Sequence, residues 1–393
     1  MKMRIALLSV FAALTWATLW SQAPDFRARS RQFENEGLAQ PYRGIFASSG
    51  KDQGLFRIEK TGVSTAPIRQ AAEHFLQALT PEQREKTTFP VDDPEWRKWM
   101  NQHFYVRQGV GFNEMTEPQR EAAFGLLKST LSAEGFELAR NIMRLNYTLG
   151  EMKNNFDEYG EWLYFLTVMG EPSADKPWGF QIDGHHLIVN CFVLGDQVVM
   201  TPTFVGSEPV IAPLGKYKGL EIMQAHQNDG LAMLESLDPS QRDKAVLEVS
   251  KTGNNNLGEA FHDNFDLDYA GLPVKEMSAK QKKQLLALAK LYLDIQEPGH
   301  AHVKVEEVEK YLDRTYFAWI GGSGPDAVFY YRIHSPVVLI EFDHQNPAGL
   351  RDRYPERKPI REHIHAVIRT PNGNDYGKDL LRQHYEQSHR AAL

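Results

Sequence analysis

Four short segments of this 393-residue chain share one pattern, and that pattern fixes where several helices begin. Each has an apolar residue, a residue suited to cap a helix, two spacers, then Gln and a basic residue. They are LTPEQR from Leu79, MTEPQR from Met115, LDPSQR from Leu237 and MSAKQK from Met277. Thr80, Thr116, Asp238 and Ser278 each carry a side-chain oxygen that can accept from a free backbone N–H of the first turn. Pro81, Pro118 and Pro239 suit that turn, where no N–H is required. The segments fall into two pairs, spaced by about 36 and about 40 residues.

The stretches downstream of the two pairs also match each other. YFLTVMGEPSADKPWGFQIDGHHLIVN starts at Tyr164, and YFAWIGGSGPDAVFYYRIHSPVVLIEFD starts at Tyr316. Each reads as a short apolar strand, a Gly/Pro turn, then a longer strand rich in aromatic and β-branched residues. An offset near 150 residues aligns Phe180-Gln181-Ile182 with Tyr331-Arg332-Ile333, and Asn190 with Glu341. The expected fold is α+β: two pseudo-repeated helix-then-β-hairpin lobes forming a shared antiparallel sheet, with helices packed on it. Chance similarity of two α+β units is the alternative. The first lobe is placed at 24–205. The second, at 206–393, carries an extra strand and a C-terminal helix. Gly206 to Gly219, with Pro209 and Pro213, is the dividing region. Residues 345–361 form a long charged hairpin loop, either a lid or a surface loop.

Residues 1–23 read as a signal peptide. Lys2 and Arg4 precede an apolar run from Ile5 to Trp20, and Ser21-Gln22-Ala23 places small residues two apart. The chain is expected to be exported, to the periplasm or beyond, with no stable membrane span after cleavage. The run is short for a span, and an uncleaved anchor is the alternative. Cys191 is the single cysteine, so neither an intrachain disulfide nor a thiolate metal cluster can form. A net charge of −7 argues against a nucleic-acid partner, which needs clustered Lys and Arg. There is no phosphate-binding glycine loop, nucleophile elbow, His-Glu-x-x-His helix or haem attachment pair.

Candidate chemistry concentrates late in the chain. Residues two apart on a strand share a face. Glu341 and Asp343 therefore share one in IEFDH, and His363, His365, Val367 and Arg369 share one in EHIHAVIR. The two strands are expected to be hairpin partners, which would gather two carboxylates, two imidazoles and a guanidinium. Imidazole and carboxylate are the ligands that zinc, iron or manganese take where cysteine is absent. His186, in Gly184-His185-His186, would be a third imidazole if the two lobes meet about an axis. Adjacent histidines point to opposite strand faces unless Gly184 makes a bulge. A solvated strand face with cross-strand polar pairs is the bland reading of the same residues. Glu208, in TPTFVGSEP, reads as part of a structural turn. His262-Asp263-Asn264, after GNNNLGEAF, is either a polar ligand loop or a turn.

The segments WGFQIDGHH (178–186), FYYRI (329–333) and HIHAVIRTPNGNDYG (363–377) together resemble an uncharacterised exported bacterial family, the domain-of-unknown-function family thirty-five hundred. The resemblance runs from about Ser30 onward. It implies export, and it brings no activity and no catalytic residues to transfer, so the site argument rests on the residues themselves. The residues support a divalent-metal-dependent hydrolase acting on an anionic or polar small substrate. His363, His365, Asp343 and His186 would hold the metal, Glu341 would be the general base and Arg369 the anion clamp. The alternative is a non-enzymatic periplasmic ligand-binding protein using the same polar residues.

Overall fold

The computed structural model describes residues 25–391, with side chains through 388. The expected signal peptide, residues 1–23, lies outside the described residues. All four capping boxes form. Thr80, Thr116, Asp238 and Ser278 begin α3 (Pro81–Thr87), α4 (Glu117–Thr130), α7 (Pro239–Ala245) and α8 (Ala279–Leu293); α1 (Phe26–Gly37) and α2 (Ala66–Ala78) precede them, and α5 (Ala133–Lys153) and α6 (Gln224–Glu235) lie between α4 and α7. Each cap oxygen takes the N–H of its Gln three residues on, and that Gln reaches back to the cap N–H. The Gln side chains also join the helix starts in pairs. Gln119 Nε2 donates to Gln83 Oε1 at 2.7 Å and to Ala78 O at 2.9 Å. Gln281 Nε2 donates to Gln241 Oε1 at 2.7 Å and to Ser236 O at 2.8 Å. Lys86 pairs with Glu114, and Lys244 with Glu276 in the same way. The shared Gln is thus explained by two jobs: completing a cap and tying one helix start to its neighbour.

The fold is mixed α+β, built on one large, mostly antiparallel sheet of 13 strands. Eight strands make its spine. The first four are β1 (Tyr164–Met169), β2 (Trp178–Gly184), β3 (Leu187–Leu194) and β4 (Thr203–Ser207). The others are β5 (Tyr316–Gly321), β6 (Phe329–His334), β7 (Leu339–His344) and β8 (Ile364–Arg369). Their spatial order is β5-β6-β7-β8-β4-β3-β2-β1, antiparallel throughout. Parallel pairings occur where Thr88–Phe89 joins β1 and Val246–Glu248 joins β5. Each group of four is a meander, and the two meanders meet where β4 pairs with β8. The register sets Gln181 opposite Asn190 and Arg332 opposite Glu341.

Three expectations need correction. The long strand expected from Trp178 is two strands, because His185 and His186 form a two-residue turn between the paired residues Gly184 and Leu187. His186 takes the positive φ (64°) that a tight reversal requires. Gly184 is therefore the last residue of β2, paired in register with Leu187, and makes no bulge. A Cβ there would lie 2.0 Å from the Tyr164 ring. Phe329 onward is likewise split, with Ser335 N donating to Val338 O at 2.8 Å. Finally, β8 is not an extra strand: β4 holds the corresponding last place in the first meander. The expected boundary at 205/206 falls within β4.

Both faces of the sheet are covered, so β6, β7 and β8 are buried at every position. On one face Phe329 and Tyr331 stack against Trp319 and Phe342 stacks on both of them, with Tyr331 and Phe342 rings 4.9 Å apart. Tyr331 Oη donates to His226 O of α6 (Gln224–Glu235) and meets Tyr292 of α8. Each such fully buried aromatic contributes on the order of 1.5–3 kcal/mol. On the other face the segment 251–263 lies across Tyr330, Glu341, Asp343 and Arg369. Two short strands tie the end of this cover to the N-terminal region, with Gly44–Phe46 pairing Asn264–Asp266. Among the described residues, no helix is long and apolar enough to cross a membrane.

Candidate metal centre

The seam between the meanders gathers three histidines. His365 lies on β8, opposite Gly206 of β4. His363 enters two residues earlier. His186 arrives from the β2–β3 turn, whose carbonyl accepts from Gly206 N at 3.0 Å. The three Nε2 atoms form a small triangle: His186 to His363 3.2 Å, His186 to His365 3.0 Å, and His363 to His365 3.0 Å. All three residues are buried. Neighbouring rings fix them. His185 stacks on His186 with centroids 4.0 Å apart, and Phe204 meets His365 edge-on at 4.9 Å. The stacking replaces the opposite-face arrangement that adjacent strand residues would have adopted.

The far side of each β8 imidazole is anchored. His363 Nδ1 is 2.7 Å from the Asn346 carbonyl, and His365 Nδ1 is 2.6 Å from Glu259 Oε1. A carbonyl only accepts, so His363 carries its proton on Nδ1, and with Glu259 ionised His365 does the same. Burial, and then the neighbouring imidazoles, hold His186 and His365 well below the usual histidine range, so both are neutral near pH 7. When the His363 ring is neutral as well, its Nε2 lone pair and that of His365 face each other at 3.0 Å. His186 can donate to only one of them, which leaves an excess of acceptors. A cation is what such a group of lone pairs satisfies. Zinc–imidazole bonds of about 2.0–2.1 Å put tetrahedral ligand nitrogens roughly 3.4 Å apart, close to the observed edges. The anchoring of Nδ1 by a carboxylate and a carbonyl is the outer-shell pattern of metal-bound histidine.

The triangle opens onto a cavity of about 540 Å³. Asn101, His103, Tyr159 and Asn346 contribute to its wall, with Arg29 and Arg351 also lining it. Glu259 is the one carboxylate in that lining. Burial pushes its pKa up, and Asn256 Nδ2 donates to its Oε1 at 3.1 Å. Glu208 organises the neighbouring loop. Its carboxylate accepts from Ala348 N at 3.0 Å, Gly349 N at 2.6 Å and Leu350 N at 3.0 Å, and lies 3.7 Å from His363 Nδ1. The start of the 345–361 loop is thereby pinned beside the histidines.

The other candidate residues sit on the expected face but do not join the triangle. Asp343 is directly opposite His365, yet its Oδ2 accepts from Asn255 N at 2.7 Å and Gln345 Nε2 at 2.6 Å. Its Oδ1 pairs with Lys251 Nζ at 2.6 Å, with both side chains fully buried. It is a clamp for the 251–263 segment rather than a ligand of the cluster. Glu341 accepts from Tyr330 Oη at 2.7 Å, Leu257 N at 3.0 Å and Gly258 N at 2.8 Å, which leaves it no reach to the cavity as a base. Arg369 has no exposed surface. Its Nη1 donates to Asp263 at 2.8 Å and Asp375 at 3.1 Å, and Nε donates to Gly258 O. Burial opposes its charge, but Asp375 and Asp263 hold it protonated, so no hydrogen-bonding edge remains for a substrate anion.

One cause underlies all three corrections: the polar face is roofed by 251–263, whose backbone donors consume the carboxylates. Sequence reasoning passed over Glu259 and assigned Glu208 to a turn. Glu259 lies inside GNNNLGEAFHDN, the segment singled out for His262 and Asp263. Of those two, His262 bonds Leu257 O within the segment, and Asp263 pairs with Arg97 and Arg369.

Fold and site together define an α+β protein with a buried three-histidine cluster capable of coordinating a divalent metal ion. A family model described as "Protein of unknown function (DUF3500)" matches residues 61–378, and the chain belongs to that family. The match spans β1 to β8 and includes all three histidines. No curated protein matches the chain, and no solved structure does.

Proposed function

We propose that the chain is an exported, divalent-metal-dependent hydrolase acting on a small anionic or polar substrate. The observation that carries this reading is the convergence of three buried Nε2 atoms whose partners fix two of them as lone-pair donors. Three imidazoles facing a cavity leave a coordination position for water, the arrangement of catalytic rather than structural zinc. Imidazole donors suit zinc and iron better than manganese. The bound ion would lower the pKa of its water toward 7 and polarise the scissile group. Glu259 orients His365 and takes the role of base that Glu341 cannot reach. His363 is held by Asn346, and Glu208 keeps that loop in register. Export rests on the apolar N-terminal run. The recurring caps, Gln–Gln ties and meanders support a tandem duplication, with the site on the seam between its halves.

The test is hydrolysis of a panel of activated carboxylic and phosphoric esters by zinc-loaded protein, with chelator-treated protein and the His363→Ala/His365→Ala variant as controls. Metal-dependent turnover, lost in the variant, supports the proposal. Stoichiometric metal with no turnover of any ester would favour the binding-protein alternative.

A further inference from the structure

Arg29 and Arg351 both line the cavity above the histidines. Several arginines with buried side chains are matched to carboxylates: Arg97 with Asp263, Arg107 with Asp183, Arg140 with Glu161, and Arg369 with Asp263 and Asp375. Arg29 and Arg351 have no carboxylate partner among the described residues, although each is held in place. The Arg29 guanidinium lies 3.8 Å over the Phe104 ring centroid, a stacking that leaves its hydrogen-bonding edge free. Arg351 Nε donates to Pro347 O at 3.3 Å, which leaves both terminal nitrogens unused. Arg351 also follows Leu350, the last of the three residues whose backbone N–H groups Glu208 holds. The two cations come from separate parts of the chain, α1 and the 345–361 loop, and converge on a cavity lined by one carboxylate, itself engaged by His365.

We propose that this cavity takes a small substrate bearing an anionic oxygen group, carboxylate or phosphate, which Arg29 and Arg351 bind while the reacting bond lies at the histidine centre. This deepens the metal-hydrolase reading and rests on it. Guanidinium presents paired N–H donors that match the two oxygens of such an anion. A volume of about 540 Å³ suits a compact ligand, and the amides of Asn101, Gln102 and Asn254 on the wall suit its polar remainder. Arg29 and Arg351 are thus specificity residues. They supply the anion contact expected of Arg369, which the buried Asp263 and Asp375 have claimed.

Calorimetric titration separates this inference from the metal reading. Succinate and inorganic phosphate serve as anionic probes, and succinamide as the uncharged counterpart of succinate. They are titrated into zinc-loaded and metal-free wild type, Arg29→Gln, Arg351→Gln and the double variant, with zinc content measured on each sample. Both arginines are exposed, so the variants are expected to fold. The expected result is anion affinity weaker by roughly tenfold for each single change and more for the pair, with zinc content and succinamide binding unchanged. The proposal is overturned if the double variant binds both anions as tightly as wild type does. It is also overturned if neither anion binds wild type more tightly than succinamide. A wild type that takes up no zinc overturns the metal reading. Arginine-dependent anion binding to that metal-free protein would still support the clamp.

Discussion

Two polar groups share one face of β8 and have opposite characters. At its start, His363 and His365 meet His186 with lone pairs converging and no donor to answer them all. At its end, Arg369 sits among Asp263, Asp375 and backbone carbonyls. Sequence types alone rank the arginine with the histidines as site material. The contacts separate them: the arginine's donors are all taken up within the protein, and the histidine nitrogens are grouped so that they could hold a metal ion. A buried polar side chain becomes evidence of function when its partners are fewer than its capacity, not when it is merely polar.

The largest effect is expected where the satisfied group is broken. Arg369→Ala leaves Asp375 buried without its cation and Asp263 with Arg97 alone, and should cost roughly 3–5 kcal/mol in denaturant unfolding. A loss under about 1 kcal/mol would show that the cluster is not the lock it resembles. At the histidine end, zinc at about a hundredfold over its dissociation constant should stabilise wild type by about 2.7 kcal/mol, and the His363→Ala/His365→Ala variant not at all. Glu259→Gln should weaken zinc binding roughly 10- to 100-fold, because Nδ1 of His365 loses its ionised partner. An unchanged affinity would remove Glu259 from the account.

The smallest effect is expected in acid. Burial and neighbouring imidazoles depress His185, His186 and His365 in the folded protein. Below about pH 6.5 these three sites bind more protons in the unfolded chain than in the folded one, so their contribution to metal-free stability should fall as pH drops. The slope should flatten in His186→Asn/His365→Asn. A slope identical to wild type would mean that other groups carry the acid loss.

Much of the fold was legible. Four caps predicted four helix starts because capping depends on residues three apart. β7 and β8 were paired, and their shared face assigned, because alternation is a local rule. The turn at His185-His186 was missed because no sequence rule required a histidine to take a positive φ there. That turn is what lets His186 reach His363 and His365. The roof of 251–263 was missed for a different reason. GNNNLGEAFHDN has no periodicity, and its long-range bonds to Asp343 and Glu341 leave no trace in spacing. The expected histidines are brought together and the expected carboxylates are not: Glu259 comes from the roof, while the strand acids hold the roof down. Arg29 and Arg351 lie more than 300 residues apart in sequence, and only the fold relates them.

The most direct test of the central claim is the metal content of the purified full chain by elemental mass spectrometry, before and after loading with zinc or iron. The account predicts one divalent ion per chain, retained through desalting, and absent from the His363→Ala/His365→Ala variant while its circular dichroism stays that of wild type. No retained metal under any loading condition, with a correctly folded protein, would contradict it.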